Sequence, residues 1–156
     1  MPDTQTHIDL HYLLTLYVAL EPARQVSAEL SLHPGRPGGW VQGPFVTGDI
    51  VPPSGDWLRR MRNGTCRLDV RIAILADDGS HILMSYHGRI ADPERNRLRP
   101  KDGPIFSDER YFLISAVFET DSEKYGWLND IVAVGKNVPT PAALGPGVTH
   151  ELYAAY

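Results

Sequence analysis

One stretch of the chain constrains its fold more than any other. Residues 66–76 alternate, with Cys66, Leu68, Val70, Ile72 and Ile74 apolar against Arg67, Asp69 and Arg71. A period of two is the mark of an extended strand with one face on a core. Asp78-Gly79 follows, and then a second run over residues 82–90. An Asp-Gly pair between two such runs signals a type I′ hairpin. With Asp78 and Gly79 as the two loop residues, Asp69 stands opposite Gly88, Val70 opposite His87, Arg71 opposite Tyr86 and Ile72 opposite Ser85. Opposed residues share a face. Asp69, Arg71, Met84 and Tyr86 are therefore expected on one side, and Val70, Ile72, Ser85 and His87 on the other. Neither side is cleanly apolar, a mixture that suits a barrel with a partly polar lumen better than a sandwich core.

The rest of the chain reads as short strands between turns. Residues 8–20 fit a strand, favoured by Thr15, Tyr17 and Val18 and ended by Glu21-Pro22. A second strand is expected over residues 25–32, followed by a glycine- and proline-rich break at residues 34–39. Residues 40–50 read as a strand interrupted at Gly43-Pro44, with Pro44 at an edge or bulge. Residues 52–57, Pro-Pro-Ser-Gly-Asp-Trp, read as a turn that delivers an acid and an indole together. Residues 92–108 form a long polar loop. Residues 111–120 are a strand with Phe112, Ile114, Ala116 and Phe118 on its apolar face. The compact segment around Tyr125 and Trp127 precedes two last strands, over residues 130–135 and 148–156. Nine or ten strands with many glycine bends point to an all-β fold, a closed antiparallel barrel with little helix. Residues 1–7 are a polar tail and residues 8–156 a single domain.

The 156 residues suit one domain with a real core. Net charge is −4, and Arg95, Arg97, Arg99 and Lys101 alternate in a polar loop rather than form a nucleic-acid footprint. Cys66, the one cysteine, excludes an internal disulfide and has the context of a small core residue. No apolar run approaches the ~18 residues that span a bilayer, and the N-terminus lacks a signal-peptide pattern, so no membrane partner and a cytoplasmic location are expected. His81 and His87 fall on one side of a strand but ~20 Å apart, so no metal site is expected. P-loop, dinucleotide and nucleophile-elbow motifs are absent, and no cofactor is expected.

Four constellations could carry chemistry. Asp56 beside Trp57 is an acid that an indole could desolvate, raising its pKa for proton transfer; an aspartate closing a turn through its own backbone is the plain alternative. Tyr125, Trp127 and Asn129 at alternate positions could line one cavity, or be a barrel plug and a turn residue. Asp69 and Arg71, with Tyr86 opposite, could bind a polar ligand or form an outward salt bridge. His87 could shuttle protons near neutral pH, as Glu119 beside Phe118 could act as an internal base; a structural histidine and a solvated strand-end charge are the plain alternatives. Trp40 adds a further aromatic for ligand contact.

Several segments carry a family resemblance: residues 38–44, Gly-Gly-Trp-Val-Gln-Gly-Pro; Gly55-Asp56-Trp57; Asp69-x-Arg71 running into Asp78-Gly79; Gly88; Tyr111-Phe112; Phe118-Glu119-Thr120; Tyr125-x-Trp127-Leu128-Asn129; and Val134-Gly135. In this order and spacing the chain resembles the DUF3237 family, also called UPF0311, from about Leu10 to its C-terminus. It departs at His87, where an arginine or aromatic residue is expected before the glycine. The resemblance implies a closed antiparallel barrel, lipocalin-like in outline, with no obligate metal and no settled activity. The expected function is a cofactor-independent enzyme moving protons on a hydrophobic or aromatic small molecule, as an isomerase, cyclase or addition–elimination enzyme. A non-catalytic carrier or sensor of an apolar ligand is the alternative. Asp56 is expected to face the barrel mouth within reach of the Tyr125–Asn129 segment. A homodimer would cover open edges such as that near Pro44.

Overall fold

The computed structural model describes residues 6–103 and 109–156. Among them ten strands form one antiparallel sheet: β1 (Leu10–Ala19), β2 (Arg24–Gln25), β3 (Leu30–Pro34), β4 (Trp40–Gln42), β5 (Thr47–Arg60), β6 (Cys66–Ala76), β7 (His81–Ala91), β8 (Tyr111–Glu119), β9 (Ala133–Val138) and β10 (Gly147–Ala155). The order is β2-β3-β5-β4-β1-β10-β9-β8-β7-β6, and β6 pairs back onto β5. Eight strands thus close a barrel, and β2 and β3 extend one wall from the outer half of β5. Helix is confined to α1 (Pro93–Arg97) and two 3₁₀ turns, Gly126–Asp130 and Ala142–Leu144. The expected closed antiparallel barrel is what the chain forms.

Alternation fills the interior. Val70, Ile72, Ile74, Ile82, Met84, Ile114, Ala116, Leu14, Leu16 and Leu152 are buried. Ile114 of β8 lies between two glycines, Gly88 of β7 and Gly135 of β9. A Cβ on Gly135 would stand 2.6 Å from Ile114 Cγ1, so the bulk of one strand occupies the space its neighbours leave. At the end that carries the β6–β7 turn, the 3₁₀ turn Gly126–Asp130 plugs the barrel with Leu128, while Tyr125 just before it is also buried.

Several sequence expectations are corrected. The β6–β7 loop has three residues, not two: Ala76 N–H donates to Ser80 O at 2.9 Å, and Gly79, at φ 82°, donates to Ala76 O at 3.0 Å. A type I turn closed by a left-handed glycine replaces type I′. The register moves by one, placing Asp69 opposite His87, Val70 opposite Tyr86 and Arg71 opposite Ser85. Both faces then become clean, with Val70, Ile72, Met84 and Tyr86 inward and Asp69, Arg71 and His87 outward. Residues 52–57 are not a turn but the middle of β5, where a bulge interrupts pairing between Val51 and Gly55. The Pro52–Pro53 peptide is cis, and Ser54 Oγ accepts from Ala73 N–H at 3.0 Å while donating to Val51 O at 2.8 Å. The expected strand over residues 25–32 is split into β2 and β3, and Pro44 falls in the bend between β4 and β5 rather than in a strand. The polar loop of residues 92–108 opens with α1, and its stretch 104–108 lies outside the described residues.

Candidate functional site

The bulge in β5 determines where Asp56 goes. Pairing resumes as Gly55↔Arg71 and Asp56↔Val70 and is next regular at Arg59↔Arg67. In the gap Asp69 N–H donates to Asp56 Oδ1 at 3.1 Å, so the carboxyl accepts from a backbone donor of β6. Asp56 is opposite His33 of β3 on one side and Val70 on the other, and Val70 is opposite Tyr86. Opposed residues share a face, so His33, Asp56 and Tyr86 all lie on the lumen side. The same level continues through Ala116, Ala133 and Ala154, three small residues on the far wall.

Burial controls the charges at this level. Loss of solvent pushes the Asp56 carboxyl up to about 7; the Asp69 N–H pulls the other way, and the Asp69 charge adds to the rise. Tyr86 is raised strongly, by burial first and then by the charge of Asp56. His150 of β10 is 0 % exposed, and burial lowers it to about 4. Among the described residues neither His150 ring nitrogen has a hydrogen-bond partner. Its ring stands edge-on to Tyr86 at 5.7 Å and to Phe112 at 5.2 Å, and the Arg110 guanidinium covers Phe112 at 5.2 Å. Arg110, Phe112, His150 and Tyr86 make a continuous column from the rim into the lumen. Burial also lowers His33, whose Nε2 is 2.9 Å from Ser31 Oγ.

Beside this column the mouth opens into a cavity of about 320 Å³, lined by Ser31, His33, Leu58, Arg60, Ile90 and Arg110 among others. That is within the size range of small-molecule sites. The opposite half of the barrel is filled by core side chains.

Of the residues expected from sequence, only Asp56 and Tyr86 meet in the lumen. Trp57, 47 % exposed, follows Asp56 outward. Asp69 lies on the outside, 3.0 Å from Arg71 and 3.4 Å from His87. The corrected register is why Asp69 and Arg71 do not share a face with Tyr86. Trp40 packs on the outer face against Tyr17 at 6.1 Å. Glu119 ends β8, exposed. Tyr125, Trp127 and Asn129 are not alternate positions of an extended segment, because residues 126–130 turn as a 3₁₀ helix. Tyr125 OH donates to Asp77 Oδ1, and Asn129 brackets Thr120, accepting from its N–H and donating to its carbonyl, each at 2.9 Å. Asp77 is seven residues beyond Val70, the partner of Asp56, roughly 23 Å of extended chain, so Tyr125 is held at the turn end of β6 rather than at the level of Asp56.

Sequence reasoning missed His33, which is opposite Asp56, and the column of Phe112 and His150 that packs on Tyr86. A signal for His150 was present, since Val148, His150, Leu152 and Ala154 alternate with Thr149, Glu151 and Tyr153 and put the histidine on the apolar side of β10. Nothing local marks His33, which reaches the site because β3 is added to β5. Among the described residues no group of three or more His, Cys, Asp or Glu side chains could hold a metal ion, and no helix is long and apolar enough to cross a membrane.

Comparison with known proteins places this barrel. The chain is 27 % identical over 131 residues to the hydroalkoxylation enzyme phnH of Penicillium herquei, a match covering 81 % of this chain and 72 % of that one. It is 30 % identical over 97 residues to a UPF0311 protein of Clostridium acetobutylicum; that match covers 62 % of this chain and 61 % of the relative, under two thirds of its length. A solved β-barrel-like protein of Acinetobacter baumannii superposes with a TM-score of 0.77 at 26 % identity, covering 99 % of each chain. The model of proteins of unknown function DUF3237 matches residues 8–154, and the chain belongs to that family.

Proposed function

We propose that the chain is a cofactor-independent enzyme that moves protons on a hydrophobic or aromatic small molecule held in the mouth of the barrel. The observation that carries this reading is Asp56, a lumen carboxyl whose pKa is brought by burial to about 7. Such a group both gives and takes a proton near neutral pH. Two neutral imidazoles, His33 and His150, share the lumen with it. The relative phnH is a hydroalkoxylation enzyme, and the chemistry its name describes suits this set. In an addition of that kind, the Asp56 proton goes to one alkene carbon and the π bond breaks. A hydroxyl oxygen bonds the other carbon, and the hydroxyl proton returns to the carboxylate or passes to an imidazole. Atoms and charge balance with no oxidant or reductant. Tyr86, held neutral, donates to the substrate oxygen.

The apolar side chains of Leu58 and Ile90 in the cavity lining favour a second reading, a carrier of an apolar ligand. One experiment separates them. Wild type and Asp56→Asn are incubated with alkenyl phenols and alkenyl alcohols, and cyclic ethers of unchanged mass are sought by chromatography. Ring closure by wild type, reduced by roughly two to four orders of magnitude in the variant with its fold intact, is expected. Substrates that bind both proteins equally and return unchanged would establish the carrier.

A further inference from the structure

We infer that the barrel mouth recognises an acid group, and that the ligand class of this protein is a flat aromatic acid whose anionic end sits between Arg60 and Arg110. The inference rests on the reading above that an aromatic molecule occupies the lumen, and it adds which molecule fits.

Three observations carry it. Arg60 and Arg110 line the same mouth cavity from opposite sides, one at the end of β5 and one at the start of β8. Among the described residues neither guanidinium has a carboxylate partner, and the ring of Phe112 is the contact of Arg110. Glu29, the acid on that rim, leaves the two arginines in excess. Secondly, Arg60 is opposite the buried Cys66, so its stem starts on the lumen face rather than on the outer wall. Thirdly, the aromatic column runs down from Arg110 through Phe112 and His150 to Tyr86, beside the level of Asp56. Cation at the top, aromatic rings along the side and a protonatable carboxyl at the bottom form one gradient. It matches a molecule with an anionic head, a flat apolar body and a reactive far end.

The depth sets the size. Arg60 and Asp56 are four residues apart on β5, about 13 Å of strand. Less the reach of the two side chains, that length corresponds to a body of about two fused rings. Planar carboxylates take two parallel hydrogen bonds from a guanidinium, which makes arginine the residue suited to this rim.

Binding of naphthoate and of uncharged naphthamide, measured by titration calorimetry, tests the inference on wild type, Arg60→Gln, Arg110→Gln and the double variant, each checked by thermal melting. Wild type is expected to bind naphthoate about tenfold tighter or more. The double variant should lose that preference while its naphthamide affinity stays the same. Equal binding of the two probes by wild type overturns the acid-binding mouth and leaves the aromatic lumen standing, as does a preference that survives the double variant. Failure of both probes to bind wild type overturns the inference together with the reading on which it rests.

Discussion

Two ionisable groups in the lumen, Asp56 partly buried and His150 fully, are displaced in opposite directions, and their pH signatures oppose each other. Asp56 is raised from its ordinary value to about 7. Between pH 3.8 and 7 the unfolded chain sheds this proton and the folded one keeps it, so the Asp56 contribution to stability falls as pH rises through that window. His150 is lowered to about 4. Between pH 6.5 and 4 the unfolded chain gains a proton that the folded one resists, so its contribution falls as pH falls. Wild type is therefore expected to show a shallow dependence across pH 4–6.5 because the two slopes partly cancel, and single variants should reveal each. Asp56→Asn, whose amide oxygen can still accept from Asp69 N–H, should leave stability rising with pH; His150→Phe should leave it falling. Urea unfolding at half-unit pH intervals reads both slopes, and parallel curves for the three proteins would refute the assignment. His150→Phe also removes two buried nitrogens without partners, and is expected to stabilise the fold by about 1–3 kcal/mol at pH 7. At this scale the sequence was partly legible. Asp56 beside Trp57 stood out as an acid to be desolvated, but the desolvation comes from the lumen wall and not from that indole, which points outward. Glu119 and His87 were as conspicuous in sequence and stand on the exterior, because a titratable residue type does not reveal its face.

A strand's faces are fixed by register, and register depends on single residues in the turns. The alternation of β6 is legible from its own residues. Taking Asp78-Gly79 as a two-residue loop inverts the partner strand, whereas in the structure Asp77 joins the loop and Gly79 takes the left-handed position. Asp78 Oδ1 holds that geometry by accepting from Ser80 N–H at 2.9 Å. One residue of slip exchanges every side chain of β7 between core and solvent, which is why Tyr86 and His87 traded places. The corrected register also exposes a cost on the outer wall: Arg59, Arg67 and Arg89 stand directly opposite one another on β5, β6 and β7. Like charges so placed repel. Arg67→Glu converts both contacts to attractive ones and is expected to stabilise the protein by about 1 kcal/mol, less at high salt. A denaturation midpoint that does not move at low salt would show that the three side chains splay apart. Inside the same wall, Gly135→Ala drives its Cβ into Ile114 and should cost about 1–3 kcal/mol. Ile114→Ala added to it should cost less than Ile114→Ala alone, since the two residues contend for one space.

The whole barrel is asymmetric along its axis, and that asymmetry could not be read from the chain. Strand count, closure and antiparallel order follow from many short alternating runs separated by glycine and proline. Which end is stoppered depends on long-range placement. Tyr125 and Leu128 look like cavity residues in sequence and close one end, while β2 and β3, two weak strands, build a wall at the other. On the proposed reading, a ligand enters at the end where Arg60, Ile90 and Arg110 stand. Cys66 makes this testable, because it is the single thiol of the protein, 5 % exposed, and it lines that mouth cavity. Its reaction with dithiodipyridine should be slow in the free protein, limited by how often the mouth admits the reagent. Naphthoate bound between the arginines should slow it further, with half-maximal protection at the dissociation constant measured by calorimetry. The Arg60→Gln, Arg110→Gln double variant should need more naphthoate for equal protection, and Trp127→Ala, at the stoppered end, should change nothing. A ligand that binds without protecting Cys66 would have entered elsewhere, and the mouth would not be the way into this barrel.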